Sequence, residues 1–236
     1  MTWIILGAVR EDRRPLEPIS IEQAEIFRSI PPERLAELRT QLSLRKLRAG
    51  EYLYFDSQPA EHLWIVRTGV VRTLKASIAG RVTTLEQLGP GEIFGMAAVM
   101  GNATYNESAQ AMVEGEVWRT RRSLLSELLA DQPAFAAEIL ALVARRLQGA
   151  HDRLCSFAHD SVPARIARTV LDQDRGERIE VTRRALSEAA GTTVETAIRV
   201  LRGFQRSGWI DGGVGWIRVL DRAALERVAE GEKTRP

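Results

Sequence analysis

Thr182-Arg183-Arg184-Ala185-Leu186-Ser187-Glu188-Ala189-Ala190-Gly191, then Thr192-Thr193-Val194-Glu195-Thr196-Ala197-Ile198-Arg199-Val200-Leu201-Arg202-Gly203-Phe204-Gln205-Arg206, settles the fold class of this 236-residue chain. The first segment predicts a short helix. Thr182 can accept a hydrogen bond from a first-turn N–H, and Gly191 can take the left-handed conformation that ends the helix. Thr192 or Thr193 caps a second helix from Val194 to about Arg206 in the same way. Leu186, Ala190, Ala197, Ile198 and Leu201 make the inner face, and the two small alanines let the helices approach. Helix, tight glycine turn, helix is the grammar of a helix-turn-helix.

The second helix displays Glu195, Arg199, Arg202 and Arg206 at steps of 4, 3 and 4, on one face. A helix that reads base edges needs such groups. Arg donates two hydrogen bonds to guanine O6 and N7, and Glu accepts from cytosine N4. Arg202 and Arg206, further along, suit phosphates. Alone, the stripe is a solvated face with an i,i+4 ion pair; behind a glycine-turned helix it reads as a DNA interface. The segment Gly208 to Leu220 predicts two strands about a glycine turn, a wing, and Asp221 to Ala229 a closing helix.

Upstream, residues 164–174 predict a short helix after a break at Ser161-Val162-Pro163, and residues 123–159 are helical. Leu140, Val143, Leu147, Ala150, Leu154 and Phe157 step by 3, 4, 3, 4 and 3. So narrow a seam favours packing against a twin helix in a dimer over packing on the chain's own barrel. Between residues 42 and 120 the period changes. Candidate strands are Glu51–Phe55, Leu63–Arg67, Val70–Lys75, Val82–Leu88, Glu92–Phe94, Ser108–Val113 and Val117–Thr120. Short strands between regular turn signals predict a sandwich or jelly-roll barrel. The strands either side of Thr68-Gly69 read as a hairpin, and Pro90-Gly91 as a turn. Residues 21–41 read as helical, and residues 1–20 as a poorly ordered extension.

Composition excludes more than it identifies. The net charge is +2, from 33 basic and 31 acidic residues, so no polybasic arm or acidic tail dominates. Residues 1–130 hold 16 of each sign, while Thr182 to Trp209 holds five arginines against two glutamates. No apolar run approaches the roughly 20 residues of a spanning helix, and the one near the start, Trp3 to Val9, is seven residues. With no cationic residue before it, it does not read as a secretory signal, so the expected location is cytoplasmic, away from membranes. The single cysteine, Cys155, excludes an internal disulfide and any all-cysteine metal or cluster site within one chain.

These pieces, in this order, resemble the Crp/Fnr family of bacterial transcription regulators over about residues 21–222. The resemblance is carried by Ala144-Arg145-Arg146-Leu147-Gln148, Arg165-Ile166-Ala167-Arg168-Thr169-Val170-Leu171, Thr193-Val194-Glu195-Thr196 with Arg199, and, in the barrel, Gly50-Glu51, Gly69 and Gly89-Pro90-Gly91-Glu92-Ile93-Phe94-Gly95. It implies an α+β fold: an N-terminal jelly-roll barrel of cyclic-nucleotide-binding type, a long dimerisation helix and a C-terminal winged helix-turn-helix. The expected divisions are 1–20 extension, 21–130 β-roll, 131–160 dimerisation helix and 161–236 DNA-binding domain. The expected partners are a second copy, a palindromic double-stranded operator and RNA polymerase. DNA contacts are expected from Thr182, Arg183, Thr193, Val194, Glu195, Thr196, Ile198, Arg199, Arg202 and Arg206. Val194 matches the Fnr branch and Ile198 departs from it, which leaves the half-site sequence open.

The effector pocket implied by the resemblance departs further. Where the cyclic-nucleotide branch has Gly-Glu for the ribose and Arg before Ser-Ala for the phosphate, this chain has Gly95-Met96, with Ala97 following, and Glu107-Ser108-Ala109. Its Thr-Ser pair for the purine reads Ala150-His151. A carboxylate in place of the phosphate's cation disfavours cyclic AMP. Glu107 reads either as a recogniser of a cationic or hydrogen-bond-donating effector or as half of an internal ion pair. The cysteine cluster of the Fnr oxygen sensor is missing, which disfavours an iron–sulfur cofactor, and the effector stays unidentified. His151, Cys155 and His159, at i, i+4 and i+8, offer an alternative metal- or haem-sensing face. A cupin-like barrel enzyme is the alternative from another class. It lacks a metal-ligand cluster, the barrel region holding only His62, and no GxSxG, P-loop or HExxH motif occurs.

Overall fold

The computed structural model describes residues 17–78, 82–96, 101, 103–174 and 176–231. Most of the extension, residues 1–16, and the pocket candidate Ala97 lie outside the described residues. The described chain divides into two compact units, one ending at Leu147 and one beginning at Gln148.

The first unit is a jelly-roll of two antiparallel four-stranded sheets. Its strands are β1 (Ser43–Leu47), β2 (Tyr52–Tyr54), β3 (His62–Thr68), β4 (Val71–Ala76), β5 (Val82–Leu88), β6 (Ile93–Phe94), β7 (Ser108–Ala111) and β8 (Gly115–Arg121). One sheet runs β1-β8-β3-β6 and the other β2-β7-β4-β5. Tyr54, Trp64, Val66, Val71, Leu88, Phe94, Ala109 and Val117, drawn from both sheets, fill the space between them. Each fully buried large apolar side chain of this kind contributes about 1.5–3 kcal/mol.

Strand β3 is covered on both faces, which explains its unbroken apolar reading. Trp64 and Val66 face the barrel interior. Leu63 and Ile65 face a second cluster built with helices α1 (Pro32–Gln41), α2 (Arg122–Asp131) and the start of α3 (Pro133–His159). Phe27 and Phe135 stack in that cluster with ring centroids 6.0 Å apart. The segment before Pro31-Pro32 forms two 3-10 turns, Ile21–Gln23 and Glu25–Phe27, in place of a continuous helix, since Ala24 between them is extended and the two prolines start α1 afresh.

The expected hairpin around Thr68-Gly69 does not form. β3 and β4 lie in different sheets, and the chain crosses from one to the other at this point. Gly69 has φ +86°, and a Cβ there would lie 2.9 Å from the Glu114 carbonyl oxygen. The glycine thus serves a corner between sheets, where backbone crowds backbone. The Pro90-Gly91 turn does form, with Glu92 N–H bonded to the Gly89 carbonyl.

The second unit carries the C-terminal part of α3, then α4 (Val162–Gln173), β9 (Ile179–Glu180), α5 (Arg183–Ala189), α6 (Val194–Arg206), β10 (Ile210–Gly213), β11 (Trp216–Val219) and α7 (Arg222–Ala229). Ser161, Thr182, Thr193 and Asp221 each accept a backbone N–H as the N-cap of α4, α5, α6 and α7. Leu186, Ala190, Ala197 and Leu201 are buried between α5 and α6, as the small-residue pattern requires. The wing is the three-stranded sheet β10-β11-β9. No described helix is long and apolar enough to cross a membrane.

Gly191 takes the turn between α5 and α6 at φ +59°, and a Cβ on it would sit 2.4 Å from the Phe157 ring. Gly191→Ala should therefore destabilise this unit by more than the roughly 1–2 kcal/mol of left-handed backbone alone, because the ring must also move. A lower denaturant midpoint at unchanged slope is the expected result.

Candidate functional site

Glu195, Arg199, Arg202 and Arg206 are all exposed on α6. Together with Ile198 and Gln205 they line one shallow concavity. Among the described residues none of the three arginines forms an ion pair, so the solvated-pair reading of Glu195 and Arg199 does not hold. Glu195 lies in the first turn of α6, where a backbone N–H and the Thr193 hydroxyl hold its carboxyl below the usual range. It is thus ionised at neutral pH and able to accept a hydrogen bond. Val194, Thr196 and Ile198 are partly exposed on the same helix. The Thr193 oxygen also accepts the Thr196 N–H as the cap, and the Thr182 oxygen accepts the Ala185 N–H.

Arg183, a candidate DNA contact, points elsewhere. Its guanidinium is half-buried and donates to the Gly213 carbonyl at 2.9 Å. Burial lowers its pKa from the ordinary arginine value. Gln205 donates to the Gly212 carbonyl at 2.8 Å. One side chain from each helix thus holds the same wing strand. Sequence reasoning passed over Gln205, since an amide in a helix carries no signal until its partner strand is placed. The wing adds exposed Arg218 and, at its tip, fully exposed Val214. Trp216 packs beneath the Arg178 guanidinium, 4.5 Å from the ring centroid, and Trp209 packs on Phe204.

The α3 seam is open to solvent within this chain. Leu140, Leu147, Leu154 and Phe157 are 70%, 55%, 66% and 45% exposed. Ala150 is also exposed, while Val143 is partly buried against the helical cluster of the barrel. His151, Cys155 and His159 are all exposed along the same helix. Among the described residues no three His, Cys, Asp or Glu side chains group closely enough to hold a metal ion.

The described pocket candidates of the barrel have distinct surroundings. Gly95 lies at φ +77° against Trp64, Tyr105 and the His62 carbonyl. Met96 packs toward the helical cluster. The buried Ser108 hydroxyl accepts the Asp56 N–H at 2.9 Å. Glu107 is half-buried, and desolvation, with Glu86 adding to it, raises its pKa to about 7; Arg146 and Lys75 oppose the rise. Arg146 reaches from α3 to Glu86, Nε to Oε1 3.5 Å, and donates to the Ile93 carbonyl. Among the described residues Glu107 is not in an ion pair of its own.

Comparison with known proteins agrees with both units. Residues 44–132 match the cyclic nucleotide-binding domain family and residues 164–228 the Crp-like helix-turn-helix domain family. The chain is 30% identical over 199 residues to the transcriptional regulator LdrP of Thermus thermophilus, covering 79% of this chain and 96% of that one. It is 28% identical over 209 residues to the cyclic AMP receptor protein of the same species, covering 87% and 97%. The solved structure of FixK2 from Bradyrhizobium japonicum superposes with a TM-score of 0.70 at 25% identity, covering 79% and 96%.

The Glu107 environment makes a pH prediction. A carboxyl whose folded pKa is raised to about 7 stabilises the fold fully below its unfolded value of 4.5, and that contribution is lost as pH rises through 7. Glu107→Gln keeps the neutral form throughout. Its melting temperature should match the parent near pH 4.5 and exceed it by several degrees at pH 8, measured by calorimetry across that range.

Proposed function

The chain belongs to the Crp/Fnr family of DNA-binding transcription regulators, and from that premise we propose that it acts as a homodimer on a palindromic operator, without control by cyclic AMP. The observation that carries the reading is the unpaired, exposed face of Glu195, Arg199, Arg202 and Arg206 on a helix whose N-terminus is capped and whose wing is bonded in place. Glu195 and Arg199, nearest the N-terminal end, read base edges, and Arg202 and Arg206 hold phosphates. Thr193, Val194, Thr196 and Ile198 complete the surface entering the groove. Thr182 and Arg183 act by shaping the motif and its wing.

The exposed seam supports dimerisation. Four large apolar side chains at heptad steps along one helix are a poor surface for water and a good one for a twin. A two-fold dimer sets its two reading helices roughly 34 Å apart, one turn of duplex, and so prefers an inverted repeat. The operator places the protein in the cytoplasm, where RNA polymerase is its further partner.

The barrel supports a regulator without cyclic AMP. A cyclic phosphate placed by Glu107 would meet a carboxylate, and Met96 offers a thioether where the ribose wants an acceptor. Regulation acts by shifting α3 and the segment around Asp160–Pro163, which changes the separation of the two readers.

An operator selected from random duplexes tests the reading. Arg199→Ala should weaken binding to that operator by about 1–3 kcal/mol and relax the preference at one base position. Arg202→Ala should weaken selected and random duplexes alike and reduce the salt slope by about 1. If both variants bind the operator as the parent does, α6 is not the reader. Leu147→Glu should convert the dimer to a monomer in sedimentation, with loss of operator binding.

A further inference from the structure

The sheet β2-β7-β4-β5 carries a row of side chains that the reading above leaves without a role. Tyr54 pairs in register with Ala109, Ala109 with Thr73, and Thr73 with Glu86. Residues directly opposite in antiparallel strands share a face. The order across the sheet is therefore phenol, methyl, hydroxyl, carboxylate, all on the inner side. Glu107 stands two residues before Ala109, half-buried in the bend that leads into β7, and its charge bears on the Tyr54 hydroxyl.

Two of these groups are buried and idle. Tyr54 is 3% exposed and Thr73 is 0% exposed, and among the described residues neither side-chain oxygen has a hydrogen-bond partner. An unmet buried hydroxyl is costly, because it has given up its hydrogen bonds to water without a replacement. Both are retained in a barrel where Phe and Val would fill the same space. The electrostatic surroundings of the Tyr54 hydroxyl are Glu107, Tyr105, Arg146 and Glu86, which places it toward the carboxylates. Ala109 adds only a methyl between Tyr54 and Thr73. The opposite end of the row reaches solvent, since the Glu86 and Arg146 side chains are 24% and 22% exposed.

The charges do not balance. Arg146 is engaged by Glu86 and the Ile93 carbonyl. Lys75 is engaged by Asp56, 3.2 Å away, and by the Asn106 carbonyl. Among the described residues Glu107 is left with no cation of its own, beside a sheet that carries two hydroxyls without partners. A ligand suited to this arrangement brings a positive charge with N–H donors, plus small polar atoms for the hydroxyls.

We propose that this row is an effector site for a small organic cation, an amine or guanidine, whose charged donor group binds Glu107 and whose uncharged end meets the hydroxyls of Tyr54 and Thr73. The proposal rests on the reading that the barrel is not controlled by cyclic AMP, and names the ligand class the same barrel takes instead. Filling the row places a ligand beside Arg146, and so couples occupancy to α3.

The test uses the full-length protein at pH 8 and 0.15 M salt, with agmatine, putrescine and arginine as probes and cyclic AMP alongside. Titration calorimetry and thermal shift are read for the parent, Glu107→Gln and Tyr54→Phe. The expected result is saturable binding of at least one probe, weakened at least tenfold by Glu107→Gln and severalfold by Tyr54→Phe, with both variants folded by circular dichroism. Binding of no probe, or binding that Glu107→Gln leaves unchanged, overturns the cation site. Cyclic AMP binding at micromolar concentration overturns the reading beneath it, whatever the probes do, so the two failures are told apart.

Discussion

Where α5 turns into α6, Gly191 offers bare backbone, and the Phe157 ring from the last turns of α3 occupies the space a side chain would fill. The Arg165 guanidinium lies over the same ring, 5.5 Å from its centroid, and bonds the Ala190 carbonyl at 2.8 Å and the Asp160 carbonyl at 2.7 Å. One aromatic ring and one arginine thus tie the end of the long helix to the turn that sets the reading helix. Arg168 adds a second tie, bonding Ser156, the Asp160 carboxylate and, at 2.7 Å, the Ala229 carbonyl at the end of α7. Hydrogen bonds to arginine of this kind are worth more than neutral ones, and these converge on the segment where α3 ends and α4 begins. Phe157 is also a member of the exposed seam, so whatever covers that seam touches a side chain that already bears on the turn.

The barrel solves a different problem. Its β3 strand serves as a wall for two apolar clusters, one inside the roll and one under the helices. That double burial leaves little room for change in β3. The sheet across from it, β2-β7-β4-β5, carries a polar inner row instead, with Glu92 on the neighbouring turn also pushed up by desolvation while it accepts the Gly89 N–H. Rigidity and polar chemistry are divided between the two sheets.

The helix-turn-helix was legible because its signals are local. A cap, a glycine and a face of charges all fall within 25 residues, and each has its own physical reason. The strand sequence was legible for the same reason, while strand pairing was not. A glycine between two apolar runs marks a hairpin or a crossing between sheets equally well, and only the packing of Gly69 against Glu114 tells them apart. β1 was missed because Arg45 and Lys46 interrupt its edge-strand pattern, and β9 because two residues leave no pattern. Glu107 was recognisable as a departure from a family motif. Its row could not be read, because residues 54, 73, 86 and 109 meet only through register.

The bonds that hold the wing have an evolutionary consequence. Arg183 and Gln205 both grip carbonyl oxygens, of Gly213 and Gly212. A carbonyl is offered by every residue type, so these bonds ask nothing of the wing's side chains, although Gly212 and Gly213 themselves have no room for one, a Cβ falling 2.9 Å from the Trp216 carbonyl oxygen and 2.6 Å from its Nε1. Val214 at the tip, in contact with solvent alone, is free to drift. Arg183 and Gln205 are not, since each donates through a side chain that no apolar substitute copies. Selection can therefore retouch what the wing presents to a neighbour while the hinge pins on which it hangs stay the same.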